Sequence, residues 1–510
     1  MKKSKKFAAM LIIISFFCCL SGLPDSGHAF VGARVTASYK LPQTTLTKTL
    51  QKAGGAEAAA LESILKASEY EVLNAFIYLD ELNALALAAE ADARIKKGEQ
   101  IGPLDGVLLV VKDNIHVAEM PNSAGTPALM DFYPEEDASV IKRLRDAGAI
   151  ILGKTNMHEL AFGISSYNLA FPDYDGNIGV RNVYDYDRMA GGSSGGTAAA
   201  VGAGIVFGGL GTDTGGSARI PAALNGVVGF RPTVGRYPMD GVTPISHTRD
   251  TVGPIAVDVK SVALLDSVMA DKNMVKKPAK IKGLRLGISA DFLANMEPEI
   301  EVLWDRAIAA FENVGVVIVE VDTAEIFRLS NLIGFPVALY EGGEDMRSYL
   351  ENYNVGLSIE ELADEIASPD VKATYDYFVV PGKLAGPGGF IDAAPVYEDA
   401  INIYRPLLIK EYENLFADNQ LDALVFPTTP AVAKLADQDS SSLQNFLLFI
   451  QNTDPGSNAG FPGLTMPMGL TSEGLAAGIE IDGLADDDVK ILSIGLALEK
   501  ILNKKCPTLR

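Results

Sequence analysis

Between residues 44 and 98, leucine and alanine recur every three or four positions. The stretches TLQKAGGAEAAALESILKASEY and YLDELNALALAAEADARIKKG therefore predict amphipathic helices, the second stopping at Gly98. The period then changes. GVLLVVKDN holds five consecutive apolar residues before Lys112 and predicts a buried strand. DASVIKRLRDAGAIILGKTNMHEL reads as a helix, a glycine turn, the short strand AIILGK and a further element. Residues 191–232 are dense in glycine, with the strand GIVFGGLGTD between two glycine-rich loops. From about 260 to 450 the pattern is more helical, with KIKGLRLGIS and VGVVIVEVD as strands. LDALVFPTTP and GLTMPMGL return to strand-then-loop, and DVKILSIGLALEKILNKK closes the chain as an amphipathic helix.

Alternating helices and apolar strands predict an α/β layer structure around one sheet. There are no repeats and no linker long or polar enough to separate domains. One large domain with a mostly helical insertion fits the pattern.

Composition narrows the partners. The 510 residues are 48% hydrophobic and 21% charged, with a net charge of −22. An evenly acidic chain lacks the clustered lysine and arginine that grip a phosphate backbone, so no nucleic-acid partner is expected. The first residues carry their own message. MKKSKK is basic, FAAMLIIISFFCCL is a 14-residue apolar run, and GHA places small residues before a cut after Ala29. That is the layout of a signal peptide over residues 1–29, predicting export to the periplasm or the medium, with an uncleaved anchor as the alternative. The apolar run is shorter than the ~20 residues a membrane span needs, and no membrane association is expected after cleavage. Cleavage removes four lysines and one aspartate from a charge of −22, leaving −25. It also removes Cys18 and Cys19, so Cys506 remains alone and no internal disulfide forms. His116, His158 and His247 are far apart and lack metal-ligand spacing, which points to hydrogen-bonded structural roles and to no metal or cofactor.

Three places are candidates for chemistry. Lys112 ends a buried strand, where ligands commonly bind in α/β sheets, and desolvation there favours a neutral amine able to act as a base. The plainer alternative is a solvated strand-end lysine paired with Asp113. GGSSGG at 191–196 admits a phosphate cradle, a flexible linker or a tight active-site turn. It lacks the lysine of a P-loop but matches G-x-S-x-G, which would make Ser193 the nucleophile of a hydrolase elbow with His247 as the one histidine downstream. Ser217 follows Gly215-Gly216 in DTGGSAR, where glycines let backbone N–H groups converge on a developing oxyanion, and an Asp213–Arg219 pair would hold the loop. A glycine-rich structural turn is the alternative.

Taken together, these pieces resemble the amidase signature family. KDN at 112–114, GGSSGG and GTDTGGSARIPAALNGVVGFRPTVGR at 211–236 match its motifs, and Ser193 and Ser217 keep its spacing of 24 residues. GKTNMHELAFG at 153–163, DTVGP at 250–254, FPTTP at 426–430 and NAGFPGLTMPMG at 458–469 extend the likeness from about residue 70 to the C-terminus. The resemblance implies a mixed central sheet flanked by helices on both faces, a core over about 70–260 and 420–510, and a substrate-shaping helical region over about 260–420. It implies Ser217 as nucleophile, Ser193 on a cis peptide bond as bridge, and Lys112 as the neutral base at the end of the relay. Backbone N–H groups of Thr214, Gly215, Gly216 and Ser217 would form the oxyanion hole. One departure is Ala190, where many members have proline before the serine-glycine loop.

The resemblance also implies a small-molecule amide as substrate and leaves a homodimer open. NTDPGSNAGFPGLTMPMGLTSEGLAAGIEIDGL is similar to the subgroup that hydrolyses arylacetamides such as mandelamide and indole-3-acetamide. A secreted peptide amidase is a second reading. An amidotransferase A subunit fits poorly with an export signal and a charge of −25. A non-catalytic binder would have no physical need of Lys112, Ser193 and Ser217 together.

Overall fold

The computed structural model describes residue 50 and residues 52–502. The predicted signal segment and Cys506 lie outside the described residues. The first strand is β1 (Phe76–Leu79), followed by β2 (Leu108–Lys112), β3 (Ile150–Thr155), β4 (Gly208–Asp213), β5 (Val228–Arg231) and β6 (Thr251–Ala256). Next come β7 (Arg285–Ile288), β8 (Val317–Glu320), the hairpin β9 (Lys383–Gly386) and β10 (Gly389–Asp392), β11 (Ala423–Pro427), β12 (Gly463–Leu470) and β13 (Ala476–Asp482). Eleven of them form one sheet in the order β1-β3-β2-β4-β6-β5-β12-β13-β11-β7-β8, while β9 and β10 pair separately. Pairing is parallel between β2 and β3, β2 and β4, β7 and β8, and β7 and β11, and antiparallel elsewhere. The fold is an α/β domain with a large mixed sheet flanked by helices.

Most predicted elements form where the pattern put them. The helix Glu81–Lys97 ends at Gly98, whose left-handed φ of 73° lets its N–H reach back to the Ile95 carbonyl. The strand β1 is the exception, because FIYL sits inside a stretch that reads as helix. Its side chains are half-buried and it is held by antiparallel pairing to β3, a contact about 75 residues away that local periodicity cannot report.

Register brings the sheet's chemistry to one edge. Parallel pairing of Val111 with Leu210 puts the C-terminal ends of β2 and β4 side by side. Antiparallel pairing of Asp213 with Thr251 brings in the start of β6, and pairing of Gly463 with Arg231 and with Asp482 adds the ends of β5 and β13. The long helix Ala324–Asn352, from the helical region, reaches this edge through Gly334 and Glu341.

Candidate active site

Lys112 is the last residue of β2 and has no exposed surface. Its Nζ donates to Ser193 Oγ at 2.8 Å and to Thr212 Oγ1 at 2.8 Å. Burial lowers its ammonium pKa to about 7, with the nearby Asp213 and Asp250 carboxylates opposing part of that fall. The alternative pairing with Asp113 does not occur. Asp113 turns instead to Lys154 Nζ at 3.2 Å and to Ser123. Asp113 lies in the turn just past the strand, where the Ser123 N–H and hydroxyl and the Lys154 ammonium take up its carboxylate.

Ser193 lies in the loop leading to the buried helix Gly195–Gly202, and the Gly192–Ser193 peptide is cis. Its carbonyl accepts from His158 N–H at 3.1 Å. The next residue, Ser194, donates its N–H to Ser217 O at 3.2 Å, which ties the two serine loops together. Ser193 Oγ is engaged by the lysine and not by His247, whose Nδ1 lies 3.0 Å from Asp345. The hydrolase-elbow reading is therefore set aside. Ala190, at the position of the family's proline, donates its N–H to Val180 O at 3.0 Å, a bond proline cannot make.

Ser217 is 9% exposed and Thr214 8%, whereas Lys112 and Ser193 are fully enclosed. Ser217 is thus the serine nearer solvent, tied by the Ser194 N–H to the loop that holds the dry Lys112–Ser193 pair. The loop between them is clamped by Asp213, which receives Arg219 Nε at 3.0 Å, Arg219 Nη2 at 3.0 Å and Arg231 Nη1 at 3.0 Å. Burial by itself would raise the Asp213 carboxyl, yet these two guanidiniums hold it well below the usual carboxylate range. Gly216 has a φ of +135°, and a Cβ there would stand 2.8 Å from Thr453 Cβ, so this position requires glycine.

One expected oxyanion donor is otherwise occupied. Gly216 N–H donates to Asp213 Oδ1 at 2.9 Å and Ala218 N–H to Oδ2 at 3.1 Å. The N–H groups of Thr214, Gly215 and Ser217 make no hydrogen bond among the described residues. The carboxylate that shapes the loop takes one of its four N–H groups and leaves three.

Several supporting residues had no local signal. Thr212 shares the lysine, Thr453 Oγ1 donates to Gly215 O at 2.5 Å, and Thr214 Oγ1 donates to Asp250 Oδ1 at 2.6 Å. Arg219 Nη2 also donates to Ser457 Oγ at 2.7 Å and Nη1 to Glu480 Oε1. The histidines are hydrogen-bonded, as expected for structural residues: His116 to Tyr349 at 2.7 Å and His158 to Asp370 at 2.9 Å. His247, Glu341 and Asp345 bring ligand atoms within 4.8 Å of one another. Ser246, Thr248 and Tyr397 already donate to Glu341, so this group is a clasp between the loop before β6 and the long helix.

A buried lysine–serine pair whose loop is hydrogen-bonded to that of a second serine, with backbone N–H groups that have no partner among the described residues, is equipped for acyl transfer. Comparison with known proteins agrees: the family model described as Amidase matches residues 59–492. The chain belongs to the amidase family. It is an amide-hydrolysing enzyme. Mandelamide hydrolase of Pseudomonas putida is 46% identical over 439 residues, covering 86% of each chain. Indoleacetamide hydrolase of Agrobacterium vitis is 39% identical over 474 residues, covering 91% of this amidase and 98% of the relative. Among solved structures, the native peptide amidase of Stenotrophomonas maltophilia superposes with a TM-score of 0.74 at 29% identity, over 90% of this chain and 96% of its own.

Proposed function

We propose that this amidase hydrolyses the primary amide of an aryl-substituted acetic acid, giving the carboxylate and ammonia through an acyl-enzyme on Ser217. The observation that carries the reaction is the 2.8 Å hydrogen bond between fully buried Lys112 and Ser193. With a pKa near 7, the amine is half neutral at pH 7 and can accept a proton.

Ser217 Oγ attacks the amide carbonyl as its proton passes to Ser193 Oγ and the Ser193 proton passes to Lys112 Nζ. The oxyanion is met by the N–H groups of Thr214, Gly215 and Ser217. Collapse breaks the C–N bond, and the relay run backwards delivers the proton to the leaving ammonia. Water then attacks the Ser217 ester as the same relay takes its proton; the ester C–O bond breaks, the relay returns that proton to Ser217 Oγ, and the acid leaves and ionises to the carboxylate.

The aryl preference is supported by the likeness to mandelamide and indoleacetamide hydrolases. The basic-then-apolar N-terminus supports export with cleavage after Ala29. Ammonia release by the chain from Phe30 onward, with Ser217→Ala as control, tests the reading on phenylacetamide, mandelamide, indole-3-acetamide, an aliphatic amide and an amidated dipeptide. The expected result is turnover of the three aryl amides above the others. Preference for the amidated dipeptide would replace the substrate class with that of a peptide amidase.

A further inference from the structure

Beneath the loop that carries Ser217 lie two guanidiniums and three carboxyls, those of Arg219, Arg231, Asp213, Glu480 and Asp482, all buried. Arg219 spans the group, holding Asp213 on one side and Glu480 Oε1 on the other. Glu480 and Asp482 are two apart on β13 and so face the same side of the sheet. They converge beside Gly463 on β12. A Cβ there would stand 2.5 Å from Asp482 Oδ1, 3.0 Å from Glu480 Oε1 and 3.1 Å from Arg219 Nη1.

The remaining oxygens are anomalous. Glu480 Oε2 and Asp482 Oδ1 are both buried, and neither has a donor among the described residues. Two ionised carboxylates in one dry pocket repel, and each orphaned acceptor adds a desolvation cost. A proton held between them removes both problems, turning one oxygen into a donor. It also balances charge, since two cations against three anions leave a buried excess of one negative charge.

We propose that Asp482 is a positioning residue for amide hydrolysis, sharing with Glu480 a proton that keeps the ion cluster under the Ser217 loop neutral. Burial raises both carboxyls, Glu480 raises Asp482 further, and Arg219 opposes. The charged groups facing the pair are Arg219 and Asp213 from the Ser217 loop and its helix, and Arg231 from β5. From the helix Arg405–Asn419 comes Tyr412, whose hydroxyl is buried without a partner among the described residues, and from the helix Asp454–Ala459 comes the backbone of Gly456. Loss of the proton adds a negative charge that competes with Asp213 for Arg219. Asp213 then holds the N–H groups of Gly216 and Ala218 less firmly, and the oxyanion donors lose alignment. Activity accordingly falls on the alkaline side for a reason separate from the ionisation of Lys112.

The test combines infrared spectroscopy in deuterated buffer with the pH profile of kcat for the best aryl amide. The parent enzyme is expected to show the C=O stretch of a protonated carboxyl at pH 7, and D482N to remove it. D482A lowers kcat about tenfold with KM little changed. D482N, whose amide donates where the proton stood, restores most of that loss and lacks the alkaline fall of the parent. A band that survives D482N, or an alkaline limb unchanged in D482N, overturns the proposal. E480Q serves the same infrared test should D482N not fold. The kinetic half rests on Ser217 as nucleophile. If the band behaves as stated while no variant or parent cleaves any amide, the shared proton stands and the reading of the site falls.

Discussion

Lys112 and Ser193 stand 81 positions apart in the chain, yet their Nζ and Oγ atoms are 2.8 Å apart in a pocket closed to solvent. The contact joins the end of a central strand to a loop whose own backbone is fixed by His158 and, through Ser194, by Ser217.

Enzyme activity should follow the neutral form of that lysine. Burial lowers Lys112 to about 7, so kcat/KM rises with pH by about tenfold per unit below that value and flattens just above it, ahead of the alkaline fall that loss of the Glu480–Asp482 proton brings. An ammonia-release profile from acid to mildly alkaline pH reads this directly. A flat profile across pH 7 would remove Lys112 as the base.

The same burial works against folding. The unfolded chain binds a proton at Lys112 up to an ordinary lysine pKa, whereas the folded chain releases it near 7. Between those values stability therefore rises with pH, and below 7 the penalty is present in full. Lys112→Met removes the penalty but strands the hydroxyls of Ser193 and Thr212. It should raise stability at pH 7 by about 2 kcal/mol, with the gain shrinking toward pH 10. Urea midpoints at three pH values measure both sign and trend.

Ser217→Ala should abolish turnover and leave the unfolding midpoint near that of the parent. Ser193→Ala should lower kcat by about 10²–10⁴-fold, since it cuts the relay without removing the nucleophile. Acyl-enzyme trapping by mass spectrometry distinguishes them. A label that persists in Ser217→Ala would assign the nucleophile elsewhere.

Gly216→Ala places a methyl group 2.9 Å from Ile220 Cδ1 and still closer to Thr453, at a φ of +135°. The expected cost is about 1–3 kcal/mol of local strain, expressed as a lower kcat with KM nearly kept. Equal kcat in parent and variant would show that the loop tolerates the shift.

Arg219→Met leaves Asp213 and Glu480 buried without their shared cation. A loss of about 3–5 kcal/mol in unfolding free energy is expected, together with loss of activity. Arg219→Lys should rescue neither, because one ammonium cannot reproduce the two-pronged contact with Asp213.

Sequence was legible where chemistry is local. The apolar run before Lys112, the glycines around Ser193 and Ser217, and the Asp213–Arg219 pair six residues apart all signal within a short window. Support from across the sheet was not legible. Glu480 reaches Arg219 from 261 positions away and Ser457 from 238, and nothing in IEID or DPGSNAG marks either as a partner. The oxyanion loop shows the same limit at short range. Its glycines announced freedom of the backbone, but which N–H turns inward depended on Asp213 Oδ1 lying under Gly216.

The reach of Arg219 also sets when the enzyme becomes competent. On the ribosome, Lys112, Ser193 and Ser217 all emerge before residue 220, while Thr453, Ser457 and Glu480 follow more than 200 residues later. A nascent or truncated chain can hold every reacting side chain and still lack the acceptors that seat its guanidinium. Catalytic birth thus waits for β12 and β13 to dock, and incomplete translation products carry an unassembled loop rather than a stray hydrolase.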